Sequence, residues 1–238
     1  MRDKKTKALP SVFIDIDDTL LDFHKAEAVA LTKTLTDLRI EARPETLARY
    51  SRINELQWKL LEQGLRTRDE VLTGRFEILF GELGAERSGA RARELYEGYL
   101  AIGHYFIDGA EELLQELCGK YALYIASNGT ASVQAGRMES AGITRYFRQI
   151  FVSEQLGYNK PSAQFFERCF EKIPGFDRAA AIIVGDSLSS DIQGGLNAGI
   201  KTCWYNPGAL PNGAGLRPDY EIRALRELPA LLEKLFTA

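Results

Sequence analysis

The hydrophobic period of the chain changes twice, and each change marks a boundary. The first element is an apolar run, Val12-Phe13-Ile14, that continues into Asp15-Ile16-Asp17. Such a run reads as a buried strand emerging at a sheet edge. Side chains two apart on a strand share a face, so Asp15 and Asp17 are expected in one cleft. From residue 23 to about 103 the pattern is helical. Ala28, Leu31, Leu35 and Leu38 recur at helical spacing, as do Ile53, Leu56, Leu60 and Leu61, and Pro44-Glu45 opens a second helix. Gly64 and Gly74 punctuate the block, and Gly81, Gly84 and Gly89 mark a loop before a helix over about 91–101.

From Asp108 onward helices and strands alternate. Asp108-Gly109-Ala110-Glu111-Glu112 reads as a capped helix start with acids in its first turn. Strands are predicted at 121–126, 150–152, 181–184 and 202–205, with helices at 131–141, 162–172, 189–198 and 224–236. Crossovers of this kind build a parallel sheet covered on both faces. The first strand cannot stand alone and must join that sheet, which makes the helical block an insertion. The expected fold is α/β: a Rossmann-like three-layer parallel-sheet core from residues 1–22 and 104–238, with an all-helical cap domain inserted at 23–103. Ligands of parallel sheets gather at the C-terminal strand ends. The insertion leaves from that end and is placed to act as a lid.

Composition narrows the classes. With 238 residues and 45% hydrophobic content the chain can bury a large core. A net charge of −3 gives no field for a nucleic-acid polymer or an anionic membrane. Residues 1–7 are basic, but acids interrupt the apolar run that follows, which fits neither a signal peptide nor a membrane span. Cys118, Cys169 and Cys203 show no ligand spacing and are expected to be reduced and mostly buried, as in a cytoplasmic protein.

The candidate chemistry stands at the strand ends. Asp15 and Asp17 end the first strand, Ser127-Asn128-Gly129 the second, and Gly185-Asp186 the fourth, with Asp191 a helical turn further on and Lys160-Pro161 before the third helix. Two like charges ~4 Å apart at an effective dielectric of ~20 repel by roughly 4 kcal/mol, so a cation is expected among these acids. Carboxylates without a His/Cys cluster favour a hard ion such as Mg2+. A carboxylate attacking a phosphate dianion needs that ion and a lysine to offset repulsion, so the set fits phosphoryl transfer. Backbone N–H groups after Asp15 and Ser127 are further donors for phosphate oxygens.

Asp15-Ile16-Asp17-Asp18-Thr19, Ser127, Lys160-Pro161 and Gly185-Asp186-Ser187-Leu188-Ser189-Ser190-Asp191 together resemble the four ordered motifs of the haloacid dehalogenase superfamily of phosphatases. The resemblance implies that Asp15 is the nucleophile and Asp17 the general acid and base, with Ser127, Asn128 and Lys160 binding the phosphoryl group. It also implies Mg2+ held by Asp15, Asp186 and the Asp17 carbonyl, with Thr19 and Asp191 in support. The run Gly194-Gly195-Leu196-Asn197-Ala198-Gly199-Ile200 followed by Cys203-Trp204-Tyr205-Asn206, with Asp22-Phe23 and Arg75-Phe76, is similar to bacterial pyrimidine nucleoside 5'-monophosphate phosphatases. That implies a nucleotide or another small phosphate ester as partner and a monomer or homodimer. The alternatives are a sugar-phosphate phosphatase or mutase, and a phospho-aspartate switch or phosphate-binding module without turnover, for which Asp17 has no purpose. Trp58, Phe76, Phe80 and Tyr105 are either base-stacking residues or core, and His24 a substrate contact or an exposed helix-start residue.

Overall fold

The computed structural model describes residues 9–213 and 215–236. The basic segment 1–7 lies outside the described residues. The elements in chain order are β1 (Ser11–Ile14), α1 (Phe23–Asp37), α2 (Pro44–Glu62), α3 (Arg68–Leu83), α4 (Gly89–Leu100), α5 (Ala110–Leu117), β2 (Ala122–Ser127) and α6 (Ala131–Ser140). They continue with β3 (Gln149–Val152), α7 (Ser153–Leu156), α8 (Ala163–Phe170), β4 (Ala181–Gly185), α9 (Gln193–Ala198), β5 (Lys201–Tyr205), β6 (Tyr220–Ile222) and α10 (Leu228–Phe236).

Two compact units result. The first, residues 1–21, 106–131 and 142–238, holds a six-stranded parallel sheet of order β3-β2-β1-β4-β5-β6, a Rossmann-like arrangement. Every residue of β1, β2 and β4 is buried, as expected of parallel strands covered on both faces. Phe13 sits inside an aromatic cluster with Tyr124, Phe151, Phe166 and Phe170, which binds α8 to one face of the sheet. Burying each such ring contributes roughly 1.5–3 kcal/mol.

The second unit, residues 22–105 and 132–141, is helical. Asp22 caps α1 through the Lys25 N–H, and Thr67 with Glu70 forms a reciprocal cap on α3. Helix α1 packs on α4, and α3 on both α2 and α4, around Tyr50, Phe76, Leu79, Phe80 and Tyr96. Segment 132–141, which the sequence division kept with the sheet, groups here instead. Val133 enters this apolar cluster, Arg137 Nε donates to the Gly103 carbonyl, and Gly136 admits the Ala101 backbone where a Cβ would collide with it. Among the described residues no helix is long and apolar enough to cross a membrane.

Two further differences from the sequence expectation have simple causes. Strand β6 was not foreseen: it is three residues long, and its place is fixed from outside by Asp219, whose carboxylate accepts the N–H and hydroxyl of Thr202 on β5. The expected helix at 189–198 begins as a π-helical turn over Leu188–Ile192 before α9.

Candidate active site

Strand β1 lies between β2 and β4, with Ile14 level with Ile125 and Val184. Asp15 therefore leaves the sheet where the strand order reverses, and its N–H bonds the Val184 carbonyl at 3.0 Å. The chain then closes on itself: the Ile16 carbonyl accepts the N–H groups of Leu20 and Leu21, each at 2.9 Å. Asp18 takes a left-handed φ of 55°, uncommon outside glycine, with its N–H on Leu21 O. Asp17 is thus half-buried in a turn and does not continue the strand, so strand alternation is not what relates it to Asp15.

Lys160 is 1% exposed. Its Nζ donates to Asp15 Oδ1 at 2.7 Å, Asp191 Oδ1 at 2.6 Å and the Ala126 carbonyl at 2.6 Å, which engages all three ammonium hydrogens. Asp191, fully buried, arrives on the π-helical turn, and its other oxygen accepts the Ser187 N–H at 3.1 Å. Gly185 is required beside it, because a Cβ there would collide with the Asp191 carboxylate. Asp186 is held three ways: its N–H donates to Thr19 Oγ1, the Thr19 hydroxyl donates to Asp186 Oδ1, and the Trp204 indole N–H donates to its carbonyl at 2.8 Å. Carboxylate oxygens of Asp15, Asp186 and Asp191 lie within 4.8 Å of one another. Ser127 ends β2 fully buried, its Oγ accepting the Gly129 N–H at 3.1 Å. The Asn128 side chain turns to Lys160: Oδ1 accepts the Lys160 N–H at 2.8 Å and Nδ2 donates to the Lys160 carbonyl at 2.9 Å.

Three carboxylates face one ammonium, and the acidities reflect that deficit. Burial, then repulsion from Asp191 and Asp17, pushes Asp15 up to about 8, against the pull of Lys160. Desolvation, with Asp191, Asp15 and Asp18, holds Asp186 well above the usual carboxylate range. Burial alone would lower Lys160, but Asp15 and Asp191 outweigh it and keep the lysine protonated. All donors in the cluster are oxygens, and among the described residues no histidine or cysteine joins them. That donor set fits a hard divalent cation, whose charge would return Asp15 and Asp186 to their ionised forms.

Of the residues singled out in the helical unit, Phe76 and Phe80 are core, 0% and 2% exposed. Trp58 is half-buried under the Arg68 guanidinium, and His24 is exposed. Trp204, Asn197 and Asp18 enter the sequence reading only within the motifs that carry the resemblance. Trp204 bonds the Asp186 carbonyl, Asn197 bonds the Pro161 carbonyl, and Asp18 places charge near Asp186. The signal for Trp204 was its place on a strand next to the one that ends in Asp186.

A parallel sheet in this order, with acids and a buried lysine at its C-terminal edge, defines an enzyme of the Rossmann-like α/β class. The chain belongs to the haloacid dehalogenase-like hydrolase family, matched over residues 10–199. It is 42% identical over 226 residues to the HAD-hydrolase YfnB of Bacillus subtilis, covering 95% of this chain and 96% of that one. It is 40% identical over 224 residues to the pyrimidine 5'-nucleotidase PynA of Streptococcus pneumoniae, covering 94% of each. The pyrimidine 5'-nucleotidase YjjG of Escherichia coli is 31% identical over 226 residues, covering 94% of this chain and 97% of that one. A crystal structure of YfnB bound to magnesium superposes with a TM-score of 0.89, covering 95% of this chain and 99% of that one.

Proposed function

We propose that this hydrolase is a Mg2+-dependent phosphomonoesterase that works through an aspartyl-phosphate and acts on nucleoside 5'-monophosphates. The observation that carries the reading is Lys160 Nζ bonded at once to Asp15 and Asp191, with Asp186 close by and one cation too few for three acids. Asp15, Asp186 and the Asp17 carbonyl would hold the ion; when bound it supplies positive charge against the phosphate oxygens and keeps Asp15 ionised.

Asp15 attacks phosphorus, and the ester P–O bond breaks as the P–O bond to the carboxylate forms. Asp17 gives its proton to the leaving alkoxide, then takes one from the water that attacks the acyl phosphate, releasing inorganic phosphate and restoring both acids. Lys160 orients Asp15 and offsets charge on the transferring group, and Ser127 donates to a phosphoryl oxygen. The named activities of PynA and YjjG support a nucleotide as leaving group.

The test compares kcat/KM for pyrimidine and purine nucleoside monophosphates, sugar phosphates and an aryl phosphate in Mg2+. Preference for the pyrimidine nucleotides by tenfold or so over the sugar esters is expected. A flat profile removes the nucleotide assignment, and no release of phosphate from any ester removes the phosphatase.

A further inference from the structure

The loop that carries Lys160 has no regular structure of its own, yet it must hold an ammonium between two carboxylates. Side-chain amides on either side of it do the holding. From the end of β2, Asn128 closes a two-bond ring on the Lys160 backbone, accepting its N–H and donating to its carbonyl. From α9, Asn197 Nδ2 donates to the next carbonyl, that of Pro161, at 2.9 Å, while its own Oδ1 accepts from Gln193 at 2.8 Å. Gly194 lets α9 lie against the loop: a Cβ there would meet the Phe166 ring at 2.8 Å and the Pro161 Cα at 3.3 Å. The Lys160 ammonium returns to β2 through Ala126 O, so one strand end grips the lysine at its backbone and at its tip.

We infer that Asn128 and Asn197 are positioning residues that act through Lys160, fixing the loop so that its ammonium stays on Asp15 and Asp191. Asn128 is then not a ligand of the phosphoryl group, the role its neighbour Ser127 suggests for it. The inference rests on the phosphoryl-transfer reading. Both amide ends of Asn128 meet Lys160 backbone atoms, and a side chain bound to the peptide groups on both sides of one residue has a fixed rotamer and a fixed distance to it. Losing the ring leaves the Lys160 peptide to water and lets Nζ drift, and displacement of a catalytic group by ~1 Å lowers turnover by up to roughly a hundredfold.

The experiment is a double-mutant cycle on the Mg2+-loaded full chain with an aryl phosphate, using N128A, N197A and K160A. N128A is expected to lower kcat by roughly ten- to a hundredfold, N197A by a smaller factor, with the inhibition constant for inorganic phosphate within about twofold of wild type. In the K160A background both changes should then cost less than about twofold, because the group they position is gone. Equal losses with and without the lysine overturn the inference, as does a rise in the phosphate inhibition constant that parallels the loss for N128A. Should N128A fail to fold, the exposed Asn197 site gives the same cycle. Inactive wild-type enzyme would instead sink the phosphatase reading itself, and is told apart by that control.

Discussion

Each unit buries a group of ionisable side chains, and the two groups are built to opposite rules. In the sheet unit Asp15 and Asp191 share one lysine with Asp186 within 4.8 Å, so three acids stand against one ammonium. In the helical unit Glu27, 4% exposed, meets Arg75, 2% exposed, through Asn54. Asn54 Nδ2 donates to Glu27 Oε1 at 2.7 Å, Arg75 Nη1 donates to Asn54 Oδ1 at 2.9 Å, and Ser51 donates to the other Glu27 oxygen. The Arg75 guanidinium also lies over the Tyr96 and Phe76 rings at 4.9 and 5.3 Å. Charges cancel there without an outside partner. A buried group in balance specifies packing; one in deficit calls for a ligand.

The sharpest way to break this contrast is to neutralise one member of each group. Asp15→Asn should lower phosphate release by roughly 10⁴-fold or more, while the protein without metal unfolds at a higher temperature than wild type, since a carboxyl that burial and two neighbouring acids disfavour is replaced by a neutral amide. Trading activity for stability at one residue marks a functional site. A variant that keeps turnover, or that loses stability, denies the deficit its role.

The helical group should answer the other way. Arg75→Met leaves Glu27 buried with hydrogen bonds from Asn54 and Ser51 but without its buried cation, and should cost ~3–5 kcal/mol in urea unfolding. Adding Glu27→Gln to it should restore a good part of that loss, because both partners are then neutral. If the double variant is no better than R75M, the pair is not balanced by charge and the contrast fails.

The meeting of Asp15 and Asp186 was legible in the sequence because each stands where an apolar run ends, and parallel strands bring their C-terminal ends to one edge, while Lys160 was legible through its place before Pro161 in the order of the motifs. What escaped was settled by partners distant in sequence. Nothing near Asn128 shows that its amide closes on a peptide 32 residues away, and nothing in the alternation of β1 shows that the chain turns at Ile16. Glu27 and Asn54 stand among apolar helix positions and the sequence singles out neither, while Arg75 enters only with Phe76 as part of a resemblance. Only the packing of α2 against α3 and the turn of α1 toward Ser51 and Asn54 join them.

A smaller effect follows from the deficit itself. An ion that binds the folded sheet unit should stabilise it by about 2.7 kcal/mol at a hundred times its dissociation constant. Titrating Mg2+ while following thermal unfolding should show a saturating rise for wild type, a much weaker one for Asp186→Asn, and a rise equal to wild type for Glu27→Gln. A response that E27Q abolishes, or that D186N leaves intact, would put the ion elsewhere.

The smallest effect tests whether the helical group is as settled as its charge count suggests. Burial raises the Glu27 carboxyl above its ordinary 4.5, and the bonds from Ser51 and Asn54 and the charges of His24 and Arg75 only partly offset it. Below about pH 4.5 the folded and unfolded chains both carry the proton, and the contribution of the group to stability is complete. As pH rises, the unfolded chain releases its proton first. The folded state then holds more protons, and stability falls until the raised value is passed. A glutamine at position 27 does not titrate. The unfolding free energy of wild type should therefore drop relative to Glu27→Gln as pH rises from about 4.5, and level off once the folded carboxyl has ionised. Urea unfolding of both proteins across that range measures it. Wild type gaining on E27Q as pH rises would mean that Arg75, acting through Asn54, overrides burial, and the helical group would then be a true ion pair held by Coulomb attraction.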